Sequence, residues 1–294
     1  MPPEKIYKWD QYRRVENLPL AVHIMRDDKT NTQLHSHDFT ELLLVGSGTG
    51  SYLTPDGEYQ LEQGDIFLLA PGQSHAFANQ HHLLVYNVLF QREALELNLH
   101  DLTNSPGYHL FFHLEPHTRR NNQFQQHLRL DSAQLLRAQE LIGSIDRELT
   151  VRSECFQLAA YSLLGELFVM ICRLCMAPAG NSGNELQQIA RAVNYMNSNF
   201  AGNLDRAKLA RLVNMSESSF FRHFKRAMEC SPMEYLQNLR LNEAEKLLRH
   251  TEMPLALIAE KCGFYDSNYL GLLFRKRYQI TPYRFRKLFR QADK

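Results

Sequence analysis

Three histidines and a glutamate form the set of side chains in this sequence best suited to hold something: His35, His37, Glu41 and His75. If His35-Ser36-His37-Asp38-Phe39-Thr40-Glu41 is extended, residues 35, 37, 39 and 41 share one face of a strand, so two imidazoles and a carboxylate point the same way. The run Pro71-Gly72-Gln73-Ser74-His75-Ala76-Phe77-Ala78-Asn79 brings a third imidazole in after a turn. Such a set can ligate Fe, Mn, Ni or Zn. On an inward face it can equally hydrogen-bond the hydroxyls of a small organic ligand, or serve as core histidines with no ligand. Tyr52, Tyr86 and Asn87 are further candidates to line such a pocket.

A second pattern lies at the other end of the chain. Leu209-Ala210-Arg211-Leu212-Val213-Asn214-Met215 followed by Ser216–Arg226 resembles Ile258-Ala259-Glu260-Lys261-Cys262-Gly263-Phe264 followed by Tyr265–Arg277. Ala210 matches Ala259, Val213 matches Cys262 and Phe224 matches Phe274, with one residue inserted in the second copy. A small residue that lets a second helix cross closely, a compact turn, and apolar residues that pin the second helix are what a helix-turn-helix requires. Ser216 is placed to cap the second helix of the first copy, and Asp266 or Ser267 that of the second. Between the copies, Ser231-Pro232-Met233-Glu234 reads as a capping box opening a helix to about His250. About 19 residues at 1.5 Å each make a spacer of roughly 28 Å, close to the ~34 Å between successive major-groove faces of a duplex. Phe220, Phe224, Tyr269 and Phe274 are expected in the core.

The elements that must position these residues differ along the chain. Over residues 20–90, Gly46–Gly50, Pro55-Asp56-Gly57, Gln63-Gly64-Asp65 and Pro71-Gly72 punctuate short apolar runs at 41–45, 66–70 and 83–90, the pattern of a small barrel or sandwich. From about 132 the period becomes helical: Leu135, Leu136, Leu141, Ile145 and Leu149, then Phe156, Leu163, Leu167, Met170 and Leu174, predict two long helices. Ala177–Asn184 is rich in small residues and reads as a linker. The histidines at 81–82 and from His100 to His127 show no converging spacing and are expected at the surface, and Cys172-x2-Cys175 reads as buried small hydrophobes.

Charge is divided in the same way. The net charge of +1 conceals 19 Lys+Arg against 11 Asp+Glu in residues 184–294, and 14 against 21 before them. A basic C-terminal third is the outline of a nucleic-acid-binding module. Five cysteines are too few for a disulfide framework, which predicts a reducing compartment. The opening MPPEKIYKWDQYRR has no apolar core of a secretory signal. The most apolar stretch, 158–176, is interrupted by Glu166 and Arg173, so no membrane span is expected.

Residues 190–290 resemble the paired helix-turn-helix domain of the AraC/XylS family of bacterial transcription regulators. The resemblance is carried by Ile258-Ala259, Cys262-Gly263-Phe264, Asp266-Ser267-Asn268-Tyr269, Phe274-Arg275-Lys276 and Thr281-Pro282-Tyr283-Arg284. It implies base-reading positions at Ser218, Phe221 and Arg222 in the first copy and Ser267, Asn268, Gly271 and Leu272 in the second. Arg222 is the natural guanine reader. Leu272 stands where members often carry a polar residue, and it implies a thymine-methyl contact or readout by shape. Arg275, Lys276 and Arg277, with the tail cations Arg284, Arg286, Lys287 and Arg290, are candidates for phosphate contacts.

The N-terminal half is similar to the two cupin motifs, through His35-x-His37-x3-Glu41-x6-Gly48 and Gly72-x2-His75-x3-Asn79, and within the family to the rhamnose-type, sugar-responsive members. These resemblances imply an α+β chain of two domains. A cupin-like jelly-roll β-barrel spans 1–130 and binds the effector; a helical dimerisation segment (131–176) and a linker (177–184) precede an all-α double helix-turn-helix (185–294). The effector residues implied are His35, His37, Glu41, His75 and Tyr86; His35, His37, Glu41 and His75 are also the candidate ligands should the site hold a divalent metal, the one cofactor considered. The function implied is a sequence-specific transcription activator, cytoplasmic and nucleoid-associated, that binds double-stranded DNA as a homodimer, answers to a small molecule such as a sugar, and works with RNA polymerase. A regulator without small-molecule input is the alternative reading. A metal-dependent cupin enzyme is a further one, and the fused double helix-turn-helix argues against any enzyme.

Overall fold

The computed structural model describes residues 5–27, 33–55, 57–92, 95, 100–114, 128–177 and 181–292; of His100, 181–184 and 290–292 only the backbone is described. Asp56, Pro178–Gly180, His117 and His127 therefore lie outside the described residues, as does the Arg290 side chain. The chain divides into two compact units, Met1–Gln187 and Gln188–Lys294.

The first unit is built on an antiparallel sheet of β2 (Leu20–Arg26), β4 (Thr40–Thr54), β5 (Gly57–Leu61), β6 (Asp65–Leu69), β7 (Ala76–Phe90) and β8 (Leu128–Arg129), in the order β2-β7-β4-β6-β8 with β5 also on β4. A small parallel sheet joins β1 (Lys5–Tyr7) to β3 (His35–His37), and a bridge from His35 to His75 ties it to the start of β7. Two helices, α1 (Ser132–Val151) and α2 (Phe156–Cys175), cover one face of the large sheet.

That sheet is buried on both faces. Leu42, Leu44, Val88 and Phe90 pack with Leu141, Ile145, Leu164, Phe168 and Ile171 of the helices. The alternate residues Leu43, Val45 and Val85 pack with Tyr52, Phe67 and Phe77 inside the β domain. The helices roll slightly from the expected face: Leu136 is 58% exposed, whereas Leu164, Phe168 and Ile171 are fully covered. By length and composition α2 could cross a membrane, but one face of it is the lid of this core.

The glycine-rich run 46–50 is not the turn that the sequence suggests. It lies within the 15-residue strand β4, whose register against β7 shifts between Val45 and Ser47, Ser47 and Thr49, and Thr49 and Ser51. These bulges bend a strand too long to stay flat. Gly48 makes one of them possible: its φ is +78°, and a Cβ there would stand 2.2 Å from the His82 carbonyl oxygen.

In the second unit, α3 (Asn181–Asn199) begins inside the segment expected to be a linker. Asn and Ser are small and polar, but they also favour helix starts, so this composition serves a helix start as readily as a linker. Then follow α4 (Arg206–Leu212), α5 (Glu217–Met228), α6 (Pro232–His250), α7 (Leu255–Lys261), α8 (Ser267–Tyr278) and α9 (Pro282–Ala292). The pairs α4–α5 and α7–α8 are the two helix-turn-helix copies. Both turns are closed alike: Met215 N donates to Ala210 O (3.0 Å) and Phe264 N to Ala259 O (2.9 Å). Each turn needs a left-handed residue, Asn214 (φ 56°) in the first and Gly263 (φ 73°) in the second. At Gly263 a Cβ would lie 2.5 Å from Ala201 O, so only glycine fits. The inserted residue of the second copy is Tyr265, which is 95% exposed.

The bulge gives a direct stability test. Gly48→Ala should destabilise the first unit by at least about 1–3 kcal/mol, because the strained φ and the clash act together. Urea unfolding followed by near-UV circular dichroism reads this, and an unchanged midpoint would mean that β4 can straighten there.

Candidate nucleic-acid interface and candidate effector pocket

Each recognition helix is held by a cap and an apolar seam. Ser216 Oγ accepts from Ser219 N (3.2 Å) at the start of α5, and Asp266 Oδ1 accepts from Tyr269 N (2.7 Å) at the start of α8. The spacer α6 has the reciprocal box: Ser231 N donates to Glu234 Oε2 (2.7 Å), and Glu234 N to Ser231 Oγ (3.2 Å). Phe220, Phe224 and Phe274 are fully buried. Tyr269 is not: it is 46% exposed on α8, with its hydroxyl accepting from Gln237. Leu270 and Phe274, spaced i, i+4, form the buried seam, and Tyr269, one residue before Leu270, points about 100° around the helix from it.

The positions expected to read bases separate by exposure. Ser218, Arg222, Asn268, Leu272, Arg275 and Lys276 are exposed, while Phe221, Ser267 and Gly271 are half-buried. The Arg206 guanidinium lies over the Phe221 ring, 5.7 Å from its centroid. On α8, Asn268, Leu272 and Lys276 form one i, i+4 line with Arg275 beside it. Two candidate phosphate ligands turn inward: Arg286 donates to Met253 O (2.6 Å) and Arg277 to Asn238 O (3.3 Å). The Met253 carbonyl in the loop after α6 and the Asn238 carbonyl within α6 take them, and Arg275, Lys276, Arg284 and Lys287 are exposed.

In the first unit, β3, β4 and the start of β7 bring together the predicted cluster. His35, His37, Glu41 and His75 are all buried. Glu41 Oε2 stands 3.1 Å from His37 Nε2 and 3.6 Å from His75 Nε2. At 3.1 Å the first contact is an ion-pair distance, but its line is poor for a hydrogen bond, so charge attraction is the dominant part. The imidazole of His35 lies 4.3 Å from that of His75, centroid to centroid. Tyr7, Tyr12, His23, Phe39, Phe77, Asn87 and Leu89 complete the pocket, a cavity of about 20 Å³. That is room for one water molecule or one ion.

Burial and charge compete here. Burial opposes protonation of His37, but the Glu41 carboxylate outweighs it and holds the pKa above the ordinary histidine value. Burial would raise Glu41; the hydrogen-bonding reach and charge of His37, then of His75, hold it well below the usual carboxylate range. His75 and His35 are pushed down by burial, His75 to about 3. The Glu41 carboxylate thus favours the charged form of His37, while burial disfavours the charged forms of His35 and His75.

Tyr86 is a correction. It packs with the helix-side core and against Gly46, while its neighbour Asn87 faces the pocket. Alternation along β7 sends Val85, Asn87 and Leu89 one way and Tyr86, Val88 and Phe90 the other. Since both faces are apolar, the sequence carries no mark of which is which. Tyr7, Tyr12 and His23 were not anticipated at all; they reach the pocket from β1, the turn after it and β2. Tyr52 does reach the cluster, its ring stacked with His75 at 5.7 Å. Cys172 and Cys175 are buried and outside any disulfide, and burial pushes the Cys172 thiol up to about 12.

His109, expected at the surface, is 4% exposed. It sits on a helical turn (Pro106–His109) that continues as a π-helix, Leu110–Leu114, stacked on His113 with ring centroids 5.6 Å apart. The Thr103 carbonyl approaches its ring off hydrogen-bond alignment.

An enclosed pocket in a β domain, followed by paired and exposed recognition helices, defines a DNA-binding regulator that carries its own ligand-binding domain. Residues 17–150 match the family described as AraC-like ligand binding domain, and residues 209–288 match a helix-turn-helix domain family. Between them they span most of the chain, which belongs to the AraC family of transcription regulators. It is 27% identical over 262 residues to the HTH-type transcriptional activator RhaR of Enterobacter sp. (strain 638), covering 88% of each chain. To the RhaR of Escherichia coli (strain K12) it is 28% identical over 264 residues, again 88% of each. Among solved structures, an AraC-type transcriptional regulator from Chromobacterium violaceum is 30% identical, covering 36% of this chain and 95% of that one, with a TM-score of 0.34.

His109 predicts an acid limb in stability. Burial, and then the nearby Arg92 charge, lower its pKa to about 4. The unfolded chain takes up a proton below about pH 6.5 that the folded chain refuses. Stability is therefore full above pH 6.5 and falls towards pH 4, by about 3 kcal/mol for this one group. His109→Gln should flatten that decline in a series of thermal melts from pH 7.5 to 4.5; an equally steep decline would place the acid sensitivity elsewhere.

Proposed function

We propose that this regulator is a transcription activator that binds duplex DNA as a homodimer and whose DNA occupancy is set by a small molecule of the sugar class. It acts in the cytoplasm, on the nucleoid, with RNA polymerase as the partner that reads its occupancy. Its chemistry is binding, and no reaction is assigned to it. The observation that carries the DNA reading is the pair of capped recognition helices with Arg222 on one and Asn268, Leu272, Arg275 and Lys276 on the other, all exposed. Arg222 suits a guanine through O6 and N7, Asn268 an adenine through N6 and N7, and Leu272 a thymine methyl.

A sugar fits the character of the pocket wall: the rings of Tyr7, Tyr12 and Phe39 suit an apolar sugar face, and His23, His35 and Asn87 suit hydroxyls. At about 20 Å³ the pocket is too small for one in this shape, so a sugar enters when β1 and Tyr12 shift outward. Activation is supported by the relatives, which are named transcriptional activators. A dimer is supported by large apolar side chains left exposed on and beside the helical hairpin, Leu136, Val151 and Leu158.

Two measurements test this reading. Thermal unfolding of the full chain against a panel of sugars and sugar phosphates should show one that raises the transition. At 100 times its dissociation constant a ligand adds about 2.7 kcal/mol. A panel that moves nothing would favour a regulator without small-molecule input. On DNA selected from a random pool, Arg222→Ala should weaken binding by about 1–3 kcal/mol while scarcely affecting random duplex. Equal losses on both would make Arg222 a phosphate contact.

A further inference from the structure

We propose that His223 of α5 donates through its Nε2–H to a phosphate of the duplex backbone, with Arg226 as the residue that holds the imidazole in the donating form. This rests on the DNA reading above and adds to the first recognition helix a contact outside the positions expected to read bases. The ring stands between two guanidiniums of its own helix: Arg226 Nη2 is 3.1 Å from Nδ1, and Arg222 Nη2 is 3.4 Å from Nε2. A guanidinium only donates, and a neutral imidazole has one lone pair and one N–H. The nearer donor, Arg226, takes the lone pair on Nδ1, so the hydrogen is on Nε2. A charged imidazole carries a hydrogen on both nitrogens, so Nε2 donates in either form. Nε2–H and the Arg222 guanidinium then present two donors side by side, 3.4 Å apart. The partner that suits adjacent donors is an oxyanion with paired acceptor oxygens.

The helix sets this pair at the wall of the groove. Phe220, Phe224 and Ala227 form the buried side of α5. At about 100° per residue Arg222 points nearly opposite that side, whereas His223 and Arg226, three apart, lie along one edge. His223 is half-buried and Arg226 exposed, as an edge requires. A helix about 10–12 Å across fills a major groove about 12 Å wide, so its edges meet the sugar–phosphate walls while its outer face meets bases. A phosphate held beside Arg222 fixes the register at which that fork meets a base. The contact is particular to the first copy: with Phe224 matched to Phe274, the place of His223 is taken by Leu273, which packs against the core of the second copy.

The test uses the full chain and a duplex selected from a random pool, with binding read by fluorescence anisotropy at fixed salt. Each phosphate of the site is replaced in turn by an uncharged methylphosphonate. At one position the replacement should weaken the wild type about tenfold and leave His223→Ala unmoved. His223→Ala should itself bind selected and random duplex about tenfold more weakly, since a phosphate contact carries no sequence information. His223→Gln, which offers a carbonyl to Arg226 and a donor to the phosphate, should recover most of that loss. Arg226→Met should weaken the wild type more than it weakens His223→Ala; equal weakening takes from Arg226 the part assigned to it. His223→Phe keeps the bulk of the ring without its donor and replaces the alanine variant where that one fails to fold. Methylphosphonates that weaken both proteins alike at every position overturn the proposal, as does a His223→Ala chain that binds as the wild type does. A loss confined to the selected duplex overturns it too, by making His223 a positioning residue for Arg222 at a base. Wild-type chain that binds no duplex overturns the DNA reading itself, and this contact with it.

Discussion

The first unit depends on one constraint, the double burial of β4 and β7. Their antiparallel register pairs Glu41 with Leu89 and Leu43 with Asn87. Side chains alternate across the sheet, so these four face the β interior while Leu42, Leu44, Val88 and Phe90 face α1 and α2. A slip of one residue would exchange the two sets. It would drive a carboxylate and an amide into the helix packing and leave leucines among the histidines. Stranding an unpaired carboxylate there costs several kcal/mol. The packing of the helices and the aim of the pocket residues are therefore a single condition.

The pocket itself is stabilised by mutual compensation. Burial pushes the Glu41 carboxyl up, and the facing His37 imidazole, before all else, holds it well below the usual carboxylate range. That carboxylate in turn raises the His37 pKa against the effect of its burial. Removing either partner leaves the other to burial alone, which favours its neutral form, so the charges of the pair stand or fall together. The β1 strand closes the arrangement: Tyr7 meets the His35 ring edge-on at 5.0 Å, and Trp9 N donates to Asp38 Oδ1 at 2.8 Å. Aromatic contact at one end and a backbone hydrogen bond at the other hold this segment over the cluster.

What was legible in the sequence follows from what each signal physically is. The cluster at 35, 37, 41 and 75 could be read because alternation and turn residues act locally. The helix-turn-helix copies could be read because capping, the small crossing residue and the turn recur in fixed order. Parity on β7 could not, since a strand buried on both faces shows no contrast between Tyr86 and Asn87. The 46–50 run misled because glycine serves a bulge as readily as a turn. The burial of His109 depends on α2, whose Cys172 carbonyl would stand 2.1 Å from a Cβ at Gly107; no local pattern encodes that closeness. The helix over 181–184 follows likewise from continuation of α3 and not from its composition.

The two helix-turn-helix copies are alike as scaffolds and unlike as readers. Both close their turns on the same alanine carbonyl and bury the same phenylalanine, so each recognition helix is presented with equal firmness. What they present differs. Arg222, exposed on the first, offers a fork of donors, which under the proposed reading would make a directional contact with one base pair. Leu272 offers only apolar surface, flanked by Arg275 and Lys276, whose attraction to phosphates is indifferent to sequence. Discrimination between sites should then rest more on the first copy, and general affinity with its salt dependence more on the second. Such a division suits a switchable regulator: the second helix supplies hold without choosing, so a modest change in how firmly the protein is held can change occupancy without changing which site is chosen.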